Sequence, residues 1–246
     1  MGEVQLDDVL PLVEKYIGAL PKRPRAADDL EKLRKLNRPE GPLAKQTDVD
    51  TITPQAMALT GFMGCDASNI ADVRALNVAA NILDSRLIKR VREELALVYS
   101  IQAVNGPGRA YADSGIFFSG APCSPDKPEE VIKEVNTLFQ AFADSGPTAE
   151  ELENAKKQIL NHLDSQLKEP SFWFSQLQSL DLHKTKLADL KNIPAAYEAL
   201  TGEQVRDVFK KYRVPAREFR VVAMPTKAAA EPANKGSQPE TAPAAP

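Results

Sequence analysis

Residues 85–100 read Ser85-Arg86-Leu87-Ile88-Lys89-Arg90-Val91-Arg92-Glu93-Glu94-Leu95-Ala96-Leu97-Val98-Tyr99-Ser100, and this run decides how the rest of the chain is organised. Its first half continues a series of Ile70, Val73, Leu76, Ala80, Leu83, Leu87 and Val91 at the spacing of one helix face, which predicts a long helix over 69–92. Its second half opens a predicted strand over 97–103. The run therefore couples a helix end to a strand. An arginine at that helix end, Arg92, and a tyrosine early in the strand, Tyr99, can converge on one side of the sheet edge. Together a guanidinium and a phenol offer several N–H and O–H donors to a carbonyl or an oxyanion. The plainer alternative is an arginine bound to helix-end carbonyls and a tyrosine packed in the core. Chemistry alone leaves both open.

Outward from this run, the N-terminal side reads as an amphipathic helix over 6–19, with Leu6, Val9, Leu10, Val13 and Ile17 on one side. Asp7 or Asp8 is the expected cap, which places Pro11 in the first turn. A polar connector follows to about Gly41, then two strands over 43–50 and 55–63. Gly106-Pro107-Gly108 marks a turn before a strand over 111–119. The remainder is mostly helical. Val131, Val135, Leu138 and Phe142 mark one helix, and the capping boxes Thr148–Glu151 and Thr201–Gln204 open two more. Pro170 ends the first of these two and is followed by an aromatic segment around Phe172, Trp173 and Phe174. A final strand is predicted over 219–224. Beyond Pro225 the chain is rich in Ala, Pro, Glu and Ser and is expected to be disordered, leaving one domain at 1–225 and a tail at 226–246. Strands joined by short links pair antiparallel, and the helices cover one face. The expected fold class is α+β, a two-layer sandwich with an antiparallel sheet.

Several function classes fall away. The 246 residues carry a formal net charge of −3, and the basic stretch from Lys22 to Arg38 is interleaved with acids and has no aromatic residue, so it reads as a solvated linker and no nucleic-acid partner is expected. No apolar run is long enough to span a bilayer, and no membrane partner is expected. Cys65 and Cys123 form no CxxC pair and read as buried or half-buried thiols. The two histidines, His162 and His183, belong to no H-E-x-x-H or H-x-x-E-H pair, so no metal ligand is assigned in this chain. A G-x-S-x-G elbow and a phosphate-binding loop are also missing.

What remains is a resemblance. The run at 85–100 resembles the second signature of the pitrilysin/insulinase family of zinc peptidases, roughly S-R-L, then R-E-x-x-G-L-x-Y-S. Arg92 and Tyr99 match its arginine–tyrosine pair at the same spacing, and Ser85-Arg86-Leu87 matches the preceding helix. Residues 12–21 look like the family's helix and its Leu-Pro exit, and 148–157 look like its T-x-E-E-L-x-x-A-K helix. The similarity spans about residues 2–225. It implies the C-terminal, inactive half of a pitrilysin-type peptidase, with Arg92 and Tyr99 as donors to the substrate and transition state. No cofactor is expected here; zinc is expected in a homologous partner domain or subunit, with a peptide or unfolded protein as substrate. A catalytically inactive scaffold or interaction subunit is the alternative implied by the same resemblance. Two departures stand out. Ala96 replaces the family's usual glycine, which a methyl group tolerates where the backbone is outside the left-handed region. The strand that precedes the position of Gly2 in the family is missing, so the chain is expected to be part of a longer polypeptide or a truncated product.

Overall fold

In the computed structural model, which describes residues 4–22, 36, 40–111, 113–178, 180 and 186–226, the chain opens with helix α1 (Leu6–Val13) and a π-helical turn (Glu14–Gly18). Strands β1 (Leu43–Val49) and β2 (Ala56–Met63) precede helix α2 (Ile70–Leu87), which runs on through a π-helical segment, Ile88–Glu94. Strands β3 (Gln102–Gly106) and β4 (Ile116–Cys123) follow. Then come helices α3 (Pro128–Ser145), α4 (Ala149–Leu167), α5 (Pro170–Gln178), α6 (Leu187–Lys191), α7 (Ile193–Glu198) and α8 (Gly202–Tyr212), and finally strand β5 (Glu218–Pro225).

The sheet order is β1-β5-β2-β4-β3. The α+β class and the layering follow the expectation. Within the sheet β2 pairs antiparallel with β4 and β5, and β3 with β4, while β1 runs parallel to β5. The short link between β1 and β2 therefore does not make them neighbours. The burial pattern gives the reason: β2 is apolar and largely buried, so it needs a strand on each side, whereas β1 is exposed along most of its length and suits an edge.

Strand alternation puts Ala56, Ala58, Thr60 and Phe62 of β2, and Phe117, Ser119, Ala121 and Cys123 of β4, on the face covered by helices. Phe62 and Phe117 stack at 5.1 Å, and Phe209 of α8 meets both edge-on at 5.1 and 5.2 Å. Phe139 and Phe142 of α3 close the cluster against Phe209 at 5.7 and 5.0 Å. Burying each such ring contributes roughly 1.5–3 kcal/mol, which makes this cluster the principal anchor between sheet and helices.

Two strands begin later than their apolar patterns suggest. Leu97, Val98 and Ile101 are buried, yet only Val98 forms a bridge, to Cys123, and the regular ladder starts at Gln102. The residues after Gly106 turn onto the loop that follows β2: Gly108 N–H donates to Cys65 O (3.1 Å), Ala67 N–H to Gly108 O (2.8 Å) and Gly64 N–H to Gly115 O (2.8 Å). These bonds hold the chain off the ladder until Ile116. A side chain at Gly115 would collide with Cys65 O, so the close approach requires glycine.

Both capping boxes are present, with Thr148 and Thr201 accepting from Glu151 N–H and Gln204 N–H. Pro170 opens α5 after α4 has closed at Leu167. Helix α1 starts at Leu6 with Gln5 as its cap, so Asp7 and Asp8 lie in its first turn and Pro11 sits deeper than expected. None of its side chains is buried. Cys65 and Cys123 are free and buried; burial, with Asp72 adding to it, pushes the Cys65 thiol up to about 11. His162 is exposed on α4. His183, the arginines and lysines from Arg23 to Arg38, and the tail at 227–246 lie outside the described residues. Among the described residues no helix is long and apolar enough to cross a membrane.

Candidate substrate-contact site at the helix-to-strand junction

Helix α2 does not stop where its apolar pattern ends. Its last turns widen into the π-helical segment Ile88–Glu94, and Leu95 N–H donates to Arg90 O (3.1 Å) and Leu97 N–H to Val91 O (3.0 Å). Between these two residues Ala96 has φ 49°, the left-handed conformation that commonly ends a helix and that glycine adopts without strain. The methyl group at Ala96 therefore does meet a steric cost, about 1–2 kcal/mol for an L-residue. Val91 before it and Leu97 and Val98 after it are buried and hold the turn in place.

Outside this anchored turn stand Arg92 and Tyr99. Tyr99 is 87% exposed, and the Arg92 guanidinium carbon lies 5.9 Å from its ring centroid. That is the outer range of a cation–π contact, enough to keep the two tips together at a cost of little rigidity. Among the described residues Arg92 forms no ion pair or hydrogen bond. Its neighbour Arg90 takes up the local carboxylates, Glu94 at 3.1 Å and Glu134 at 3.2 Å. The guanidinium N–H groups and the phenol O–H thus face solvent from one patch. The packed-tyrosine alternative does not describe this arrangement.

Arg86, six residues before Arg92, has a different position. Its Nε and Nη2 each donate to Glu151 at 2.7 Å, Nη2 also donates to Gly146 O (3.1 Å), and its guanidinium sits 5.3 Å from the Phe142 ring centroid. Glu151 also accepts Thr148 N–H (2.8 Å), and the Arg86 guanidinium together with the capping bonds holds its carboxyl down at about 2, well below the ordinary range. Arg86 clamps the end of α2 to the α3–α4 junction and so fixes where Arg92 and Tyr99 project. Sequence reasoning placed Arg86 only in a matching helix; its partner was already visible as the glutamate of a capping box.

The sheet edge beside this patch is partly closed, since Ala103 N–H donates to Asp84 Oδ1 of α2 (3.1 Å) and not to a further strand. Among the described residues no group of three His, Cys, Asp or Glu is close enough to hold a metal ion. Along the middle of α2 lies a set of amides: Asn81 Nδ2 donates to Gln158 Oε1 of α4 (3.1 Å), Asn77 Nδ2 to Tyr197 Oη of α7 (3.0 Å), and Asn105 Nδ2 of β3 to Asn77 Oδ1 (2.9 Å). Neutral amides are not the nitrogen, thiolate and carboxylate donors that zinc takes, so the residues present do not fit that ion.

Comparison with known proteins agrees with the fold. The family described as peptidase M16 inactive domain matches residues 1–159. A protein named uncharacterized zinc protease YmxG, of Bacillus subtilis, is 26% identical over 208 residues, 83% of this chain and 48% of that protein. The chloroplastic stromal processing peptidase of Pisum sativum is 24% identical over 143 residues, 56% of this chain and 11% of that protein. The chain thus spans about half, or less, of the length of these relatives. In fold it is similar to a solved structure described as the peptidase M16 inactive domain from Pseudomonas fluorescens, with a TM-score of 0.73 at 23% identity, over 93% of this chain and 53% of the other. With residues 1–159 of its 246 matched, the chain belongs to the peptidase M16 inactive-domain family.

Proposed function

We propose that this chain is the non-zinc half of a zinc metalloendopeptidase, and that Arg92 and Tyr99 are its contribution to the chemistry. The carrying observation is that both side chains stand exposed and adjacent at a rigidly anchored turn, with their donors uncommitted among the described residues. The metal comes from a homologous partner half, because among the described residues none form a group that fits it. From the patch, the guanidinium donates to main-chain carbonyls of a bound peptide, and the phenol O–H donates to the oxygen on which charge develops as the scissile carbonyl becomes tetrahedral. Both contacts read the backbone and not a side chain, which suits peptides or unfolded proteins of varied sequence. Strand addition to a sheet edge, the expected source of affinity for an extended peptide, is served poorly at β3, whose Ala103 N–H is taken, and falls to other edges of the assembly.

The direct test is Tyr99→Phe in the complete two-half enzyme. The expected result is a fall in kcat of about 10²–10³ with zinc content unchanged, since one lost oxyanion donor typically has that effect. Unchanged turnover would remove Tyr99 from the mechanism. One observation favours a second reading, an inactive scaffold subunit: the strained Ala96 stands where the family pattern has glycine, a substitution that a selected catalytic turn has reason to avoid. A scaffold predicts no change on Tyr99→Phe.

A further inference from the structure

In the helical stretch Leu6–Gly18 the apolar residues gather on one side. Leu6, Leu10, Val13 and Ile17 recur at helical spacing, with Tyr16 beside them, while Asp7, Asp8, Glu14 and Lys15 hold the other side. All five of these apolar side chains are between 40% and 70% exposed, so the stripe is not folded onto its own sheet. An isolated helix of this length is marginal in water and draws its stability from burying such a stripe. The sheet has an open surface of matching character. Helices cover the face that carries Phe62 and Phe117. On the opposite face the register sets Leu59 beside Val221 and Gly120, Met63 beside Ile116, and Phe118 beside Val104 and Gly61. Met57 and Ile116 are 41% and 36% exposed there, and Leu59, Val104, Phe118 and Val221 are half-buried. The strands present one charged side chain on this face, Lys45 of β1, which makes no ion pair among the described residues.

We propose that a second copy of this chain covers both surfaces: the helix of each copy lies on the open sheet face of the other, in a reciprocal exchange. One chain carries the two complementary surfaces, and a twofold exchange is the arrangement that satisfies both and closes without leaving either free. The dimensions agree. The helical stretch is about 20 Å long at 1.5 Å per residue. Strands β2 and β4, of 8 residues each, run about 26 Å, and five strands span about 20 Å across. A helix about 10 Å wide laid on such a face buries on the order of 400 Å² on each surface. Two reciprocal contacts then bury about 1,600 Å², the size of a standard stable interface. The charges are compatible as well. The polar side of the helix carries three acids against one lysine, and the margin of the sheet face offers Lys45. The inference is independent of any role for Arg92 and Tyr99.

The experiment is sedimentation of the full chain from about 1 to about 100 µM, a range that resolves a dimer of micromolar or tighter Kd. The expected result is a monomer–dimer equilibrium. Leu10→Asp with Ile17→Asp should weaken it about 100-fold or more. That variant should keep its fold, because neither side chain is buried. Met57→Lys with Ile116→Lys, on the sheet face, should weaken association in the same way. A second measurement identifies the surface covered. A photo-crosslinking benzoylphenylalanine replaces Ile17, and isotopically heavy and light chains are mixed. Crosslinks from position 17 to strands β2, β4 or β5 should appear as heavy–light pairs. A chain that stays monomeric throughout the range overturns the proposal, as does a dimer that Leu10→Asp with Ile17→Asp leaves unchanged. Crosslinks confined to one chain overturn it in favour of a helix folding back on its own sheet. A monomer whose helix is captured by an added homologous zinc-bearing half overturns it in favour of that half. Should the sheet-face variant fail to fold, the helix variant and the crosslinks decide the matter.

Discussion

At Ala96 a single methyl group sits where the backbone has φ 49°. Replacing it with glycine relieves the left-handed strain but adds freedom to the unfolded chain, and the first effect exceeds the second by up to about 1 kcal/mol. Ala96→Gly is therefore expected to raise the urea midpoint at unchanged m-value; a lower midpoint would mean that the turn is held by something other than its φ. Arg92 and Tyr99 were singled out by the family resemblance; their types and spacing beside a helix end alone left a packed tyrosine open. That Ala96 is left-handed was not legible, because nothing in an alanine announces a positive φ. Only the glycine expected there by resemblance hinted at it, and the structure supplies the reason.

The elements meeting at the end of α2 depend on the Arg86–Glu151 pair, whose side chains are 20% and 31% exposed. Glu151 is held at about 2 in the folded chain against an ordinary value near 4.5. A depressed carboxyl stabilises the fold above its unfolded pKa and loses that contribution as pH falls through its folded one, so the window runs from about pH 5 down to about pH 2. Allowing for solvent screening, the loss is about 1–2 kcal/mol. Urea unfolding at pH 7 and pH 3 should show the wild type losing that much more stability than Glu151→Gln; equal losses would remove the clamp from the account. The two capping boxes and the helix periodicities were readable because they are local. The position of β5 between β1 and β2 was not, because it depends on which strand can afford an exposed edge, a property of the assembled sheet.

Across the whole molecule the five-phenylalanine cluster joins the two layers, and Phe209 touches the other four rings at 5.0–5.7 Å. Phe209→Ala is expected to remove about 3–5 kcal/mol, a large part of the stability of a domain this size, and chemical denaturation would show it as a lowered midpoint. A loss under about 1 kcal/mol would place the anchor elsewhere. Periodicity marked each phenylalanine as apolar without showing that they converge, which only the strand register determines. On the proposed function the chain supplies one half of a catalytic surface, and that division of labour can be measured. A zinc-bearing partner half should cleave a model peptide only slowly alone. Turnover should rise saturably with added wild-type chain and stay at the low level with a chain carrying Arg92→Ala and Tyr99→Phe. Equal stimulation by both chains would contradict the account.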